Sequence, residues 1–113
     1  MSETSTDQTA RVRAIFARLA ARGYEPSMQK ITSAYEFRVR EVGNWCLTVS
    51  SGSLAVTEQP VDCENRLEFD AADFLDVAEG RQNLFATFLR GALKASGDPV
   101  LVLSLRRLMP VAK

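Results

Sequence analysis

The sequence predicts an α+β domain, with helices gathered over one face of a five-stranded mixed sheet. Three observations carry this. Apolar spacing changes from three-and-four to two after Gly23, then changes back after Phe69. Glycine or proline closes each helical pattern. No internal repeat or low-complexity run interrupts the order helix, four strands, two helices, strand, helix.

The polar residues 1–8 read as a flexible N-terminus, leaving 9–113 as the single domain. From Thr9 to Arg22, Val12, Ile15, Phe16, Leu19 and Ala20 form an apolar stripe, with Arg11, Arg13, Arg18 and Arg22 outside it. In "ITSAYEFRVR", Ile31, Ser33, Tyr35, Phe37 and Val39 point one way and the charged residues the other, which is a half-buried strand. "NWCLTVS" repeats the pattern, "SSGS" turns the chain with Gly52 free to take positive φ, and "SLAVTEQ" returns. "NRLEF" is the fourth strand and "ALKAS" the fifth.

Between them lie two short helices, near 71–79 and 84–90, closed by Gly80 and Gly91. Asp70 and Asn83 stand where N-caps belong. The last helix, 99–109, starts with Asp98 as cap and Pro99 at its first position, and stops at Pro110. Its residues Val100 to Met109 are apolar over more than one face. Such a helix is buried, or lines something apolar on its second side.

Composition narrows function by subtraction. A chain of 113 residues with 46% hydrophobic content buries one real core. Lys+Arg and Asp+Glu are equal at 14 each, so no overall charge marks a nucleic-acid or anionic-membrane partner. Histidine is absent, which removes the commonest general base and zinc ligand together. Asp73, Asp76 and Glu79 share a helical face with no third-ligand type beside them, and read as solvated. No catalytic residue, metal or cofactor is expected. The start has no apolar signal core, and no run approaches the ~20 residues that span a bilayer. A cytoplasmic protein with Cys46 and Cys63 reduced is therefore expected.

Three stretches, taken in order, resemble the sterol carrier protein 2 family, or SCP2 sterol-binding domain. They are "FRVREVGNWCLTVSSGSLAV", "DCENRLEFDAADFLDVAEGRQN" and "FATFLRGALKASGDPVLVLSLRRL", and the likeness covers about Ile31 to Met109. The resemblance implies an apolar tunnel between sheet and helices that holds fatty acyl chains, acyl-CoA, sterols or phospholipid, in domains that are not generally catalysts. It makes Phe74, Phe85, Phe88, Leu101, Leu105, Leu108 and Met109 candidate tunnel walls, with plain core packing as the competing reading for each. Arg106 stands where the family often has glutamine, as a candidate head-group contact beside its ordinary role at a helix C-terminus.

The function expected is non-catalytic carriage of a long apolar ligand. The alternative is an accessory protein or pocket enzyme acting on a polyketide-like or quinone-like intermediate, with a pathway enzyme or a second copy as partner.

Overall fold

The computed structural model describes residues 2–58 and 62–108, with side chains from Asp7 onward. The strands are β1 (Thr32–Val39), β2 (Gly43–Ser50), β3 (Ser53–Thr57), β4 (Asn65–Phe69) and β5 (Leu93–Ser96). They form one sheet in the order β3-β2-β1-β4-β5. The sheet is mixed because β4 runs parallel to β1, while every other pairing is antiparallel. The α+β class with five strands expected from the sequence is thus the observed one.

Alternation decides which face is covered. Along β1, Ser33, Tyr35, Phe37 and Val39 are buried, and the residues between them are not. The outer face carries ion pairs instead. Glu36 accepts from Arg38 Nε at 3.0 Å and Arg66 Nε at 2.9 Å, and Glu68 from Arg40 Nε at 3.1 Å. Partly exposed pairs of this kind add little stability, but they keep the uncovered face hydrated. The β2–β3 turn places Ser51 and Gly52 at φ 50° and 89°, as a two-residue hairpin requires. A side chain at Gly52 would meet Tyr24 Cε1 at 2.8 Å and the Glu25 carbonyl at 3.0 Å. The turn is therefore wedged under a 3-10 turn at Pro26–Met28 that the sequence pattern did not indicate.

The helices are α1 (Ser2–Arg22), α2 (Ala71–Ala78), α3 (Leu84–Leu89) and α4 (Pro99–Ser104). Helix α1 begins at Ser2 instead of Thr9. No glycine or proline lies between Ser2 and Arg22, and Asp7 adds an (i, i+4) contact with Arg11 at 3.9 Å. Its buried stripe is narrower than expected, since Ala20 is exposed. The Phe16 ring stacks on Trp45 at 4.6 Å and on Phe74 at 5.2 Å, and meets the edge of Phe37 at 5.4 Å. Such pairs add about 0.5–1.5 kcal/mol each beyond their burial, so this cluster ties α1 and α2 to the sheet. Arg11 reinforces it by gripping Glu79 through both carboxylate oxygens, at 2.8 and 3.0 Å.

Two local expectations are corrected. Asp70 occupies the N-cap of α2 but makes no side-chain cap bond. Its carboxylate goes to Arg40 Nη1 at 2.7 Å, a charged donor that outbids a backbone N–H. The last helix is α-helical only to Ser104. Ser104 Oγ donates back to the Leu101 carbonyl at 2.6 Å, and Leu105–Arg107 tightens into a 3-10 turn. Pro110, expected to stop that helix, lies outside the described residues.

Candidate functional site

Helix α1 packs on β3 and α2, whereas α3 packs on β5 and α4 on β4. This division leaves the β5 edge of the sheet with two very short helices over it. Their caps set their faces. Asn83 Oδ1 accepts from the Phe85 and Ala86 N–H groups at 2.8 and 3.1 Å. With the phase fixed there, Leu84 and Thr87 turn inward, and Thr87 Oγ1 lies 2.8 Å from the Asn83 carbonyl. Phe85, Phe88 and Leu89 then face outward, at 47%, 44% and 67% exposure. Asp98 Oδ1 caps α4, accepting from Val100 N–H at 2.9 Å, which buries Val102 and leaves Val100 exposed.

Between the two helices lies an apolar cleft floored by Leu93 and Ala95 of β5. Leu84, Phe85 and Phe88 wall one side; Pro99, Val102 and Leu103 wall the other. Its volume is about 160 Å³. That approximates a cavity holding one benzene-sized molecule, and falls short of the ~300–1,000 Å³ of ordinary ligand pockets. The cleft as it stands is too small to enclose a long chain.

One residue ties the α4 side of the cleft to the sheet. Asn65, fully buried at the start of β4, donates to Ser33 Oγ at 2.8 Å and the Ala34 carbonyl at 3.2 Å. Its Oδ1 accepts the Asp98 N–H at 3.0 Å, fastening the start of α4 to the sheet. Gly97 makes this contact feasible: a Cβ there would stand 2.4 Å from Asn65 Oδ1 and 2.7 Å from the Glu64 carbonyl. At the other end, Arg107 Nη1 donates to the Ser27 carbonyl at 2.7 Å.

Of the residues singled out from the sequence, Phe85 and Phe88 border the cleft. Phe74 does not; it is fully buried among Phe16, Phe37 and Phe69, with ring centroids 5.2 to 6.2 Å away. Leu105 and Leu108 are 1% exposed in the core, and Leu101 packs half-buried against the core cluster. Arg106 is exposed beyond α4, and Met109 lies outside the described residues. Leu84, Leu93, Ala95, Val102 and Leu103 went unrecognised as walls. The caps at Asn83 and Asp98 were the signal that would have found them, because a cap sets helix phase.

The walls hold no titratable group. Nearby, Asp73, Asp76 and Glu79 are held by cations: Asp73 by Arg90 at 3.1 Å, Asp76 by Arg81 at 2.9 Å and Glu79 by Arg11. Burial raises the Glu79 carboxyl, but Arg11 and Arg81 outweigh it and hold the group below its usual range. The described residues contain no His/Cys/Asp/Glu group that could hold a metal ion. Cys46 and Cys63 are both free, and burial beside the Cys46 thiol pushes Cys63 up to about 12, so its thiol stays protonated at neutral pH. No described helix is long and apolar enough to cross a membrane.

Comparison with known proteins bears on this geometry. The sequence pattern of the SCP-2 sterol transfer family matches residues 13–110. No curated protein sequence matches significantly. Among solved structures, the fold resembles Aedes aegypti sterol carrier protein 2 in complex with the C16 fatty acid palmitate, with TM-score 0.71 at 16% identity over 92% of this chain and 96% of that one. It also resembles UbiJ-SCP2, a ubiquinone synthesis protein, with TM-score 0.65 at 18% identity over 93% and 95% of the two chains. A third likeness is to the sec-alkylsulfatase Pisa1 from Pseudomonas sp., with TM-score 0.67 at 14% identity over 80% of this chain. There the chain spans only 15% of the enzyme's length.

Proposed function

The chain belongs to the SCP-2 sterol transfer family, and from that premise we propose that it is a non-catalytic cytoplasmic carrier of a long apolar ligand, taken up through the cleft between α3 and α4. The observation that carries this reading is the pair of half-exposed phenylalanines, Phe85 and Phe88, standing over an apolar cleft too small for a chain. A protein without a ligand would gain by turning such rings inward. Here the caps hold them at the mouth.

The ligand is a fatty acyl chain or a molecule of similar length and polarity. As it enters, the cleft deepens beneath α4 and its walls come to include Leu101, Leu105 and Leu108, with Arg106 at the rim for a polar head. Burial at about 25 cal/mol per Å² supplies the affinity, so discrimination among chains is weak. The likeness to a palmitate complex over nearly the whole of both chains supports this reading.

A second reading has one observation of its own. The likeness to a ubiquinone synthesis protein also runs over nearly the full length of both chains. In that role the same cleft would present a quinone-like or polyketide-like intermediate to a pathway enzyme.

One experiment tests the site and separates the readings. The freshly purified protein is examined by native mass spectrometry, then titrated with a fluorescent fatty acid beside a Phe85→Ser/Phe88→Ser variant. A bound acyl mass, with uptake lost in the variant at unchanged melting temperature, is the expected result. A quinone-like mass would favour the second reading, and failure of the wild type to take up any chain would end both.

A further inference from the structure

One polar atom in the core lacks a counterpart. Tyr35 is fully buried, and its hydroxyl has no hydrogen-bond partner among the described residues. Its neighbours on the inner face are satisfied. Asn65, its partner across β1 and β4, has three bonds. Ser33 donates to Glu64 Oε1 at 2.8 Å. Ser104 Oγ lies near the phenol, but the two hydroxyls do not meet hydrogen-bond geometry. Buried polar groups are almost always paired, so an exception in a well-packed core calls for a partner that arrives from outside.

Position points the same way. Ser104 closes α4, the helix whose Val102 and Leu103 wall the cleft. Leu67 of β4 lies between Ala95 on the cleft floor and Phe37 of β1, two residues along from Tyr35. A cleft that deepens beneath α4 therefore runs over β4 toward the phenol. The chemistry of the group that would meet it is also constrained. Burial foremost outweighs the opposing Ser104 hydroxyl and, with the Asp98 and Glu64 carboxylates, disfavours a negative charge on Tyr35. The same surroundings disfavour a ligand carboxylate at that point.

We propose that Tyr35 is the deep polar contact of the ligand site, donating one hydrogen bond to an uncharged oxygen, a hydroxyl or carbonyl, on an otherwise apolar ligand lying beneath α4. This rests on the carrier reading. Because the phenol is already unpaired without ligand, pairing it adds affinity and sacrifices no existing bond. Chains that end in a carboxylate lie the other way round, with the charge at the mouth.

The test is competition of dodecanol, dodecane and laurate against a bound fluorescent fatty acid, in the wild type and in Tyr35→Phe. The wild type is expected to hold dodecanol about fivefold tighter than dodecane, the net effect of one ordinary hydrogen bond. Tyr35→Phe is expected to erase that preference, to hold dodecane and laurate within about twofold of wild type, and to melt no earlier. A wild type without the preference, a preference that survives Tyr35→Phe, or a variant that loses laurate most would each overturn the inference while leaving the carrier reading intact. If the wild type binds neither probe nor competitor, both fall together.

Discussion

Replacing Asn65 by alanine removes three hydrogen bonds at one stroke, and the structure sets the size of the loss. Ser33 Oγ keeps its bond to Glu64. The Ala34 carbonyl keeps the ladder bond that joins β1 to β4, whereas the Asp98 N–H loses its side-chain partner. Leaving one donor without its partner costs roughly 1–3 kcal/mol, so the substitution should cost about 1–3 kcal/mol. Against a total stability of about 5–15 kcal/mol this is a large fraction. Urea unfolding is the assay. With a slope near 2 kcal/mol per M, typical of a small domain, the midpoint should fall by ~0.5–1.5 M at unchanged slope. Asn65→Asp makes the second arm. It keeps an oxygen for Asp98 N–H but loses both donors and buries a charge, so at neutral pH it should be at least as unstable as the alanine variant. A midpoint shift below ~0.3 M for Asn65→Ala would refute the claim that this side chain fastens α4 to the sheet.

Two further outcomes follow from burial and charge. Phe74→Ala should lower stability by about 3–5 kcal/mol in thermal melts while leaving fatty-acid affinity nearly unchanged in whatever fraction is folded, because Phe74 sits among rings and away from the cleft; an intact melt with altered affinity would make it a wall after all. Stability should also depend on acid in a definite direction. Burial raises the Glu36 carboxyl, but Arg38 and Arg66 hold it lower overall, and Asp76 is held low chiefly by Gln82 and then by Arg81. A group depressed in the folded state stabilises above its unfolded pKa and loses that contribution as pH falls through the folded value. Stability measured by urea midpoint should therefore be level above about pH 5 and decline below about pH 4, with Glu36→Gln flattening part of the decline; a midpoint that rises on acidification would contradict the assigned pairs.

The strands were legible because each carries its own evidence. Tyr35, Phe37 and Val39 alternate with Glu36 and Arg38, and a pattern of period two has one structural meaning when one face is covered. Helix caps were legible where the side chain had no better partner, as at Asn83 and Asp98, and illegible at Asp70, whose rival Arg40 is thirty positions away in the chain. Of the candidate wall residues, Phe85 and Phe88 border the cleft, whereas Phe74 shares their residue type and lies in the core, since composition does not distinguish a ring that faces other rings from one that faces a gap. Asn65 went unremarked, although it stands two residues before Leu67 and four before Phe69, on the face that alternation assigns to the interior. Its role depends on Asp98, which no local pattern links to it.

The parallel pairing of β1 with β4 has a consequence for how the molecule assembles. The β1–β2–β3 meander closes through short turns and can form from adjacent chain. The β1–β4 seam instead brings Tyr35 opposite Asn65 across all of β2 and β3, and only after that loop entropy has been overcome can β5 add to β4. Folding speed is set at such non-local joins. The floor of the cleft is β5, which pairs only with β4, so the cleft exists only once this long-range seam has closed.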